Sequence, residues 1–469
     1  MHDELHFLPL IELARRLRRR ELSAVEITRA QLARISRLDH DLGSFACVTV
    51  ERALAAAAAA DVEIAAGRYR GPLHGVPLGI KDLFWTEGVT TAAGTLIHRD
   101  FVPTEDATVV AHLKRAGAVL LGKLQMTEGA YADHHPLIRP PINPWHAAYW
   151  TGISSSGSAV ATAAGLCFGA LGTDTGGSIR WPCGATGLTG IKPTWGRVSR
   201  FGSFELAASL DHIGPIARSV TDAAAILAAI AGPDDKDPTT LPDAPPDYPA
   251  IIDRGIRGMR VGIDPEWNCT DVDACVQRVL VEAEQTFRAL GAHIVTVSVP
   301  DVARAIADWS SACALEAAVA HQPTYPARKS EYGPVLAGVL DIGGSISAID
   351  YQALRLRRMD LRGRFSHLFR AIDLLLVPVQ PFGPLTLDAI RSLGRQPELI
   401  ARLQRYTAPF DLTGHPTVTL PGGFSDDGMP IGFQIAGHHE GTLIRAAAAF
   451  QRETNWHLYH PLSPGERDK

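Results

Sequence analysis

The sequence predicts an α/β fold, one large domain in which a mixed, mainly parallel β-sheet is covered by helices. Two observations carry this. From residue 71 to about 194, short apolar runs alternate with helical patterns, the signature of strands connected by crossover helices. The alternation then resumes beyond a single Pro- and Asp-rich interruption at 232–249. Size agrees: 469 residues, 46% of them hydrophobic, can bury a large core. Length alone would allow roughly three domains. The chemistry-bearing segments lie mostly before 232–249 and strand patterns continue after it, so the reading is one domain over 1–469. Within it we distinguish an N-terminal helical segment (1–67), a central core (71–231) and the remainder of the sheet with substrate loops (258–469).

The elements follow in chain order. Residues 5–67 read as helical: Ser23 and Glu26 have capping-box spacing ahead of Ile27, Leu32, Ile35 and Leu38, and 51–66 is alanine-rich. Runs at 76–80, 118–121 and 166–171 read as buried strands, with a helix over 107–116 between two of them. A helix is expected over 219–231 and a surface loop over 232–249. Residues 260–263, 275–290 and 293–299 then read as strand, helix, strand. Further strands are expected at 374–379, 417–420 and 429–436, and a closing helix at 442–450. There is no internal repeat.

Charge and composition exclude several functions. A formal net charge of −5 provides no basic field for nucleic acid. Six scattered cysteines (Cys47, Cys167, Cys183, Cys269, Cys275, Cys313) form no Cys-x-x-Cys pair, which points to reduced thiols and a cytoplasmic location. Met1-His2-Asp3-Glu4-Leu5 is acidic and lacks an apolar stretch, so no signal peptide is expected. The Ala- and Gly-rich apolar stretches are interrupted, and no membrane span is expected.

The most informative run is Gly172-Thr173-Asp174-Thr175-Gly176-Gly177-Ser178-Ile179-Arg180. Glycines let backbone N–H groups converge, and a serine beside such a turn can attack a carbonyl while those groups hold the oxyanion. Ile179-Arg180 follows where a phosphate loop needs Lys-Ser or Lys-Thr, and the dinucleotide Gly-x-Gly-x-x-Gly spacing is missing. Two upstream features add to it. Gly152-Ile153-Ser154-Ser155-Ser156-Gly157-Ser158 clusters four hydroxyls, more than one helix cap needs. Lys81 ends the apolar run Gly75-Val76-Pro77-Leu78-Gly79-Ile80; desolvated there, its amine loses basicity and becomes a usable general base. Asp82 would undo this by pairing with Lys81, but strand alternation sends the two to opposite faces.

Competing readings carry less. A Ser-His-Asp triad lacks the Gly-x-Ser-x-Gly elbow at Ser178, and His212 is more simply part of a structural turn. His134-His135 invites a metal, but adjacent histidines in a strand point apart and no partner has metal-site spacing. Cys183 reads as a small buried hydrophobe.

These residues resemble the amidase signature family of serine hydrolases. The likeness is closest from Gly152 through Gly190-Ile191-Lys192-Pro193-Thr194-Trp195-Gly196-Arg197-Val198-Ser199. It extends to 75–83, to Ser209-Leu210-Asp211-His212-Ile213-Gly214-Pro215 and to Gly428-Met429-Pro430-Ile431-Gly432-Phe433-Gln434-Ile435, and is weakest over about 300–400. It implies the amidase signature fold and a Ser–cis-Ser–Lys unit. Ser178 falls on the nucleophile, Ser154, 24 residues earlier, on the bridging serine, and Lys81 on the base. The N–H groups of Thr175, Gly176, Gly177 and Ser178 fall on the oxyanion hole, with Ser155, Asp174 and Arg180 in support. The expected cis bond is Ile153–Ser154. This chain departs from the family at Ile153 and Ser156, where glycine is common.

The function so implied is hydrolysis of the C–N bond of a small or aryl amide through a seryl acyl-enzyme, with no cofactor and no metal. Alternatives are a carbamate hydrolase with the same triad, the glutaminase subunit of a tRNA-dependent amidotransferase, and a noncatalytic binding protein. The glutaminase reading needs an acidic clamp for glutamine, for which Asp411 is the only candidate in the segment 405–416. The expected partner is a small amide or carbamate; neither nucleic acid nor membrane is expected, and a homodimer is the assembly considered. The pocket is expected from loops in 125–150 and 300–410.

Overall fold

Strands form at or beside the apolar runs that were read, and unread ones join them at Thr189–Lys192 and at His212–Ala217, where a structural turn was expected at His212. The computed structural model describes residues 5–461, so the reading of Met1–Glu4 lies outside the described residues. The strands are β1 (Phe45–Val48), β2 (Pro77–Lys81), β3 (Val119–Leu124), β4 (Gly169–Asp174), β5 (Thr189–Lys192), β6 (His212–Ala217), β7 (Arg260–Ile263), β8 (His293–Thr296), β9 (Leu374–Pro378), β10 (Thr417–Phe424) and β11 (Pro430–Gly437). They make one sheet in the order β1-β3-β2-β4-β6-β5-β10-β11-β9-β7-β8. The sheet is mixed. Parallel pairing falls in two blocks, β3-β2-β4 and β9-β7-β8. The centre from β4 through β9, and the β1 edge, pair antiparallel.

Helices cover the sheet. Val220–Ile230 is nearly all apolar and correspondingly almost wholly buried; its Ser219 cap accepts the Asp222 N–H. At the N-terminus the capping box forms as expected, Ser23 Oγ accepting from Glu26 N–H and Glu26 Oε2 from Ser23 N–H at 2.9 Å.

Three further expectations need correction. The helical segment 5–67 is interrupted by β1: Gly43 closes the helix Ala24–Leu42 in the left-handed conformation (φ +62°), and the following chain alternates in burial and adds to the edge of β3. The strand expected at 166–171 lies three residues later, at Gly169–Asp174. The stretch assigned to substrate loops contains long helices, Ala303–His321, Pro334–Ser345 and Ala348–Ala371.

This topology positions the site. β2 and β4 are parallel neighbours, with Gly79 opposite Ala170 and Ile80 opposite Leu171. Their carboxyl ends therefore lie together, the usual place for a site in such a sheet. Lys81 and Asp174 occupy those ends.

Candidate active site

Lys81 is fully buried as the last residue of β2. Its Nζ lies 2.8 Å from Ser154 Oγ, 2.9 Å from Ser155 Oγ and 2.7 Å from Thr173 Oγ1. Burial lowers its pKa to about 7, although Asp174 and Asp211 pull it back up. Asp82 does point away: it lies 3.3 Å from Lys123 Nζ and accepts the Ala92 N–H at 3.0 Å. Lys81 is therefore left among hydroxyls, without a carboxylate bonded to it.

The hydroxyl cluster is fully buried, and each member has a place. Ser154 follows a cis Ile153–Ser154 peptide, and its carbonyl accepts from Thr127 N–H at 3.3 Å. Ser155 Oγ donates to Thr173 O at 3.2 Å, and Ser158 Oγ to Leu171 O at 2.9 Å, which stitches the cluster to β4. Ser156 Oγ lies 3.1 Å from His134 Nε2. The family-atypical Ser156 thus meets a histidine whose pKa burial lowers to about 4.

The glycine-rich turn leaves β4 and ends at Ser178, which is 7% exposed. Asp174, fully buried, organises it. Oδ1 accepts the Gly177 N–H at 2.7 Å, Oδ2 accepts the Ile179 N–H at 3.0 Å, and both oxygens take bonds from the Arg180 guanidinium. Burial pushes this carboxyl up, but Arg180 outweighs it and holds the group well below the usual carboxylate range. Arg180 Nη2 also reaches Asp411 Oδ2 at 2.6 Å. The Gly177 amide is thereby committed to Asp174, which corrects its expected place in the oxyanion hole. Thr175, Gly176 and Ser178 are the turn amides that Asp174 leaves alone. Side chains are excluded at two positions: a Cβ on Gly176 would lie 2.2 Å from Trp309 Cζ2, and one on Gly177, at φ +136°, 2.7 Å from the Trp181 ring.

The structure thus brings Lys81, Ser154, Ser155, Ser178, Asp174 and Arg180 to the carboxyl ends of β2 and β4. The competing histidines border these residues: His134 meets Ser156, and His212 Nδ1 lies 3.2 Å from Asp174 O and 3.5 Å from Asp411 Oδ1. His212 opens β6, fully buried, with Nδ1 2.6 Å from Leu210 O. Cys183 is buried, and burial pushes its thiol pKa well up. His135 Nδ1 accepts the Leu137 N–H at 3.1 Å. Among the described residues no cluster of three or more His, Cys, Asp or Glu is placed to hold a metal. No described helix is long and apolar enough to cross a membrane.

Sequence reasoning missed three residues. Thr173 is the third hydroxyl on Lys81. Asp211, pushed up to about 6 by burial, accepts from Thr175 Oγ1 at 2.6 Å. Trp309 Nε1 donates to Thr175 O at 2.7 Å. Thr173 lies inside the glycine-rich run, and its hydroxyl was the available signal. Trp309 comes from a segment without a motif.

A fold of this kind, with these residues at the strand ends, defines an enzyme that hydrolyses amide C–N bonds, and the comparisons with known proteins agree. The family model described as Amidase matches residues 26–441. The chain belongs to the amidase signature family. It is 48% identical over 462 residues to AmiD of Mycobacterium tuberculosis, an amidase by name, covering 98% of this chain and 97% of that protein. It is 39% identical over 487 residues to a glutamyl-tRNA(Gln) amidotransferase subunit from Geobacter metallireducens, covering 97% and 99%. The native peptide amidase of Stenotrophomonas maltophilia superposes with a TM-score of 0.84 at 30% identity, covering 97% of this chain and 98% of that one.

Proposed function

We propose that the protein hydrolyses a small or aryl amide through an acyl-enzyme on Ser178. The observation that carries this is Lys81: a fully buried amine, with a pKa of about 7, within hydrogen-bond distance of Ser154. As the free amine it accepts the Ser154 proton while Ser154 takes that of Ser178, and Ser178 attacks the carbonyl. The N–H groups of Thr175, Gly176 and Ser178 face the developing oxyanion. The proton then returns along the relay to the leaving nitrogen, and water hydrolyses the ester in a second cycle. A carbamate enters by the same acylation.

The amidotransferase reading loses its glutamine clamp. Asp411 is fully buried and bonded to Arg180, so it is not available to a substrate ammonium. A noncatalytic reading leaves an amine of lowered pKa without a purpose.

The test is labelling with a fluorophosphonate followed by a screen of 4-nitroanilides, primary amides and carbamates. Wild type should label at Ser178 and turn over at least one class. Ser178→Ala should not label and should keep less than about a hundredth of wild-type kcat, since losing a nucleophile costs orders of magnitude. Retained turnover in that variant would sink the assignment.

A further inference from the structure

We propose that Trp309 is a positioning residue for the oxyanion turn: its indole N–H holds the Thr175 carbonyl and so aims the Gly176 N–H at the reacting carbonyl. This rests on the Ser178 reading above and deepens it.

The argument is one of peptide geometry. In a trans peptide the carbonyl and the following N–H lie in one plane and point in opposite directions. The Thr175–Gly176 bond is not one of the cis bonds. Whatever fixes Thr175 O therefore fixes the direction of the Gly176 N–H. Trp309 Nε1 donates to that oxygen at 2.7 Å, and both residues are buried. The neighbouring planes are held as well. Thr175 Oγ1 donates to Asp211 Oδ1 at 2.6 Å, and Asp211 in turn accepts the Leu206 and Ala207 N–H groups. On the other side the Gly177 N–H is tied to Asp174. The Gly176 peptide sits between two anchored neighbours, and Trp309 sets the plane they leave free.

Trp309 also packs against the turn, because a Cβ on Gly176 would lie 2.2 Å from its Cζ2. Its helix, Ala303–His321, is itself pinned. Asp308, the preceding residue, takes two 2.7 Å bonds from the Arg357 guanidinium on the helix Ala348–Ala371. The turn that carries the nucleophile is therefore adjusted from the stretch of chain least like the family in sequence.

The test removes the N–H while keeping an aromatic ring at the position. Trp309→Phe is assayed with 4-nitrophenyl butyrate, and its Ki is measured for 2,2,2-trifluoroacetophenone, which adds to a serine to give an oxyanion. Kcat should fall about ten- to a hundredfold, in the range for a weakened oxyanion donor. KM should stay within about twofold, and Ki should rise in step with the loss in kcat/KM, because only the oxyanion feels the donor. If Trp309→Phe folds poorly, 3-benzothienylalanine at 309 replaces the N–H by sulfur at nearly constant shape, and the same outcomes apply. An unchanged kcat, or a loss confined to KM with Ki unmoved, would overturn the inference. Fluorophosphonate labelling separates the two readings. A wild type that does not label at Ser178 removes the catalytic assignment and this inference with it. A wild type that labels, beside an undiminished Trp309→Phe, removes this inference alone.

Discussion

Lys81 shows what a single buried amine brings to the site. An exposed lysine is charged near neutral pH and has no lone pair to offer. Burial lowers this one to about 7, with Asp174 and Asp211 opposing. The base form is the deprotonated one, so kcat/KM should rise with pH through about 7, then level off. Below that it should fall about tenfold per unit as the amine protonates. Lys81→Ala should remove this limb together with most of the activity; an acid limb that persists in the variant would assign the base to another group. Ser154 makes the complementary case. An amide nitrogen must be protonated as it leaves, whereas a nitrophenolate leaves unaided. Ser154→Ala should therefore lower kcat/KM for a 4-nitroanilide by at least about tenfold more than for the matching nitrophenyl ester. Equal losses would reduce Ser154 to a structural hydroxyl. At this scale the sequence was informative where the chemistry is contiguous. Lys81 closes an apolar run, and Ser178 closes a glycine turn. Asp211 and Trp309 reach Thr175 from remote segments, and contacts of that kind leave no spacing to read.

At the scale of elements, the turn is held by a charge network that crosses the chain. Arg180 opens the helix Arg180–Thr186, binds Asp174 at the end of β4, and reaches both Asp411 Oδ2 and the Thr407 carbonyl at the helix Ala408–Thr413. All three charged side chains are fully buried. Removing the guanidinium takes away the forked donor that Asp174 and Asp411 share and leaves Lys192 as the other cation acting on both. Arg180→Ala should cost about 3–5 kcal/mol in urea unfolding, the usual range for breaking a buried pair. Arg180→Lys should recover little, because an ammonium cannot reproduce the forked contacts. Wild-type stability in Arg180→Ala would show that the network is dispensable. The elements themselves were legible in proportion to their pattern. Val220–Ile230 follows a clear cap and an unbroken apolar run. β1 was hidden because its four residues sit between two strong helices, and only Gly43 marks the break. The helices of 303–371 were passed over because they fall in the stretch where the likeness to the family is weakest, between the runs that carry its motifs.

Across the whole molecule, the loop at 232–249 looks like a domain boundary in composition and is not one in structure. Residues on either side of it share one sheet and one core. β5 pairs with β10, Lys192 opposite Thr417 and Gly190 opposite Thr419. Arg180 reaches forward to Asp411, Thr194 N–H donates to Glu440 at 2.8 Å, and Gln451 Nε2 donates to Thr189 Oγ1 at 2.9 Å. The loop meanwhile is exposed at Pro242, Asp243, Ala244 and Pro246. Cutting there should break a covalent link that the fold does not need. A protease site inserted between Ala244 and Pro245, cleaved after folding, should give two fragments that elute together at the size of the intact chain and keep activity within about twofold. The reason is energetic: a nick inside an assembled core frees only the chain ends and exposes none of the apolar surface whose burial holds the halves together. Two separately folded fragments, or fragments that part without denaturant, would show that the sheet is two domains laid edge to edge. The same cut made within 205–210 should inactivate the enzyme. Leu206 and Ala207 supply the N–H groups that hold Asp211, and Asp211 holds Thr175.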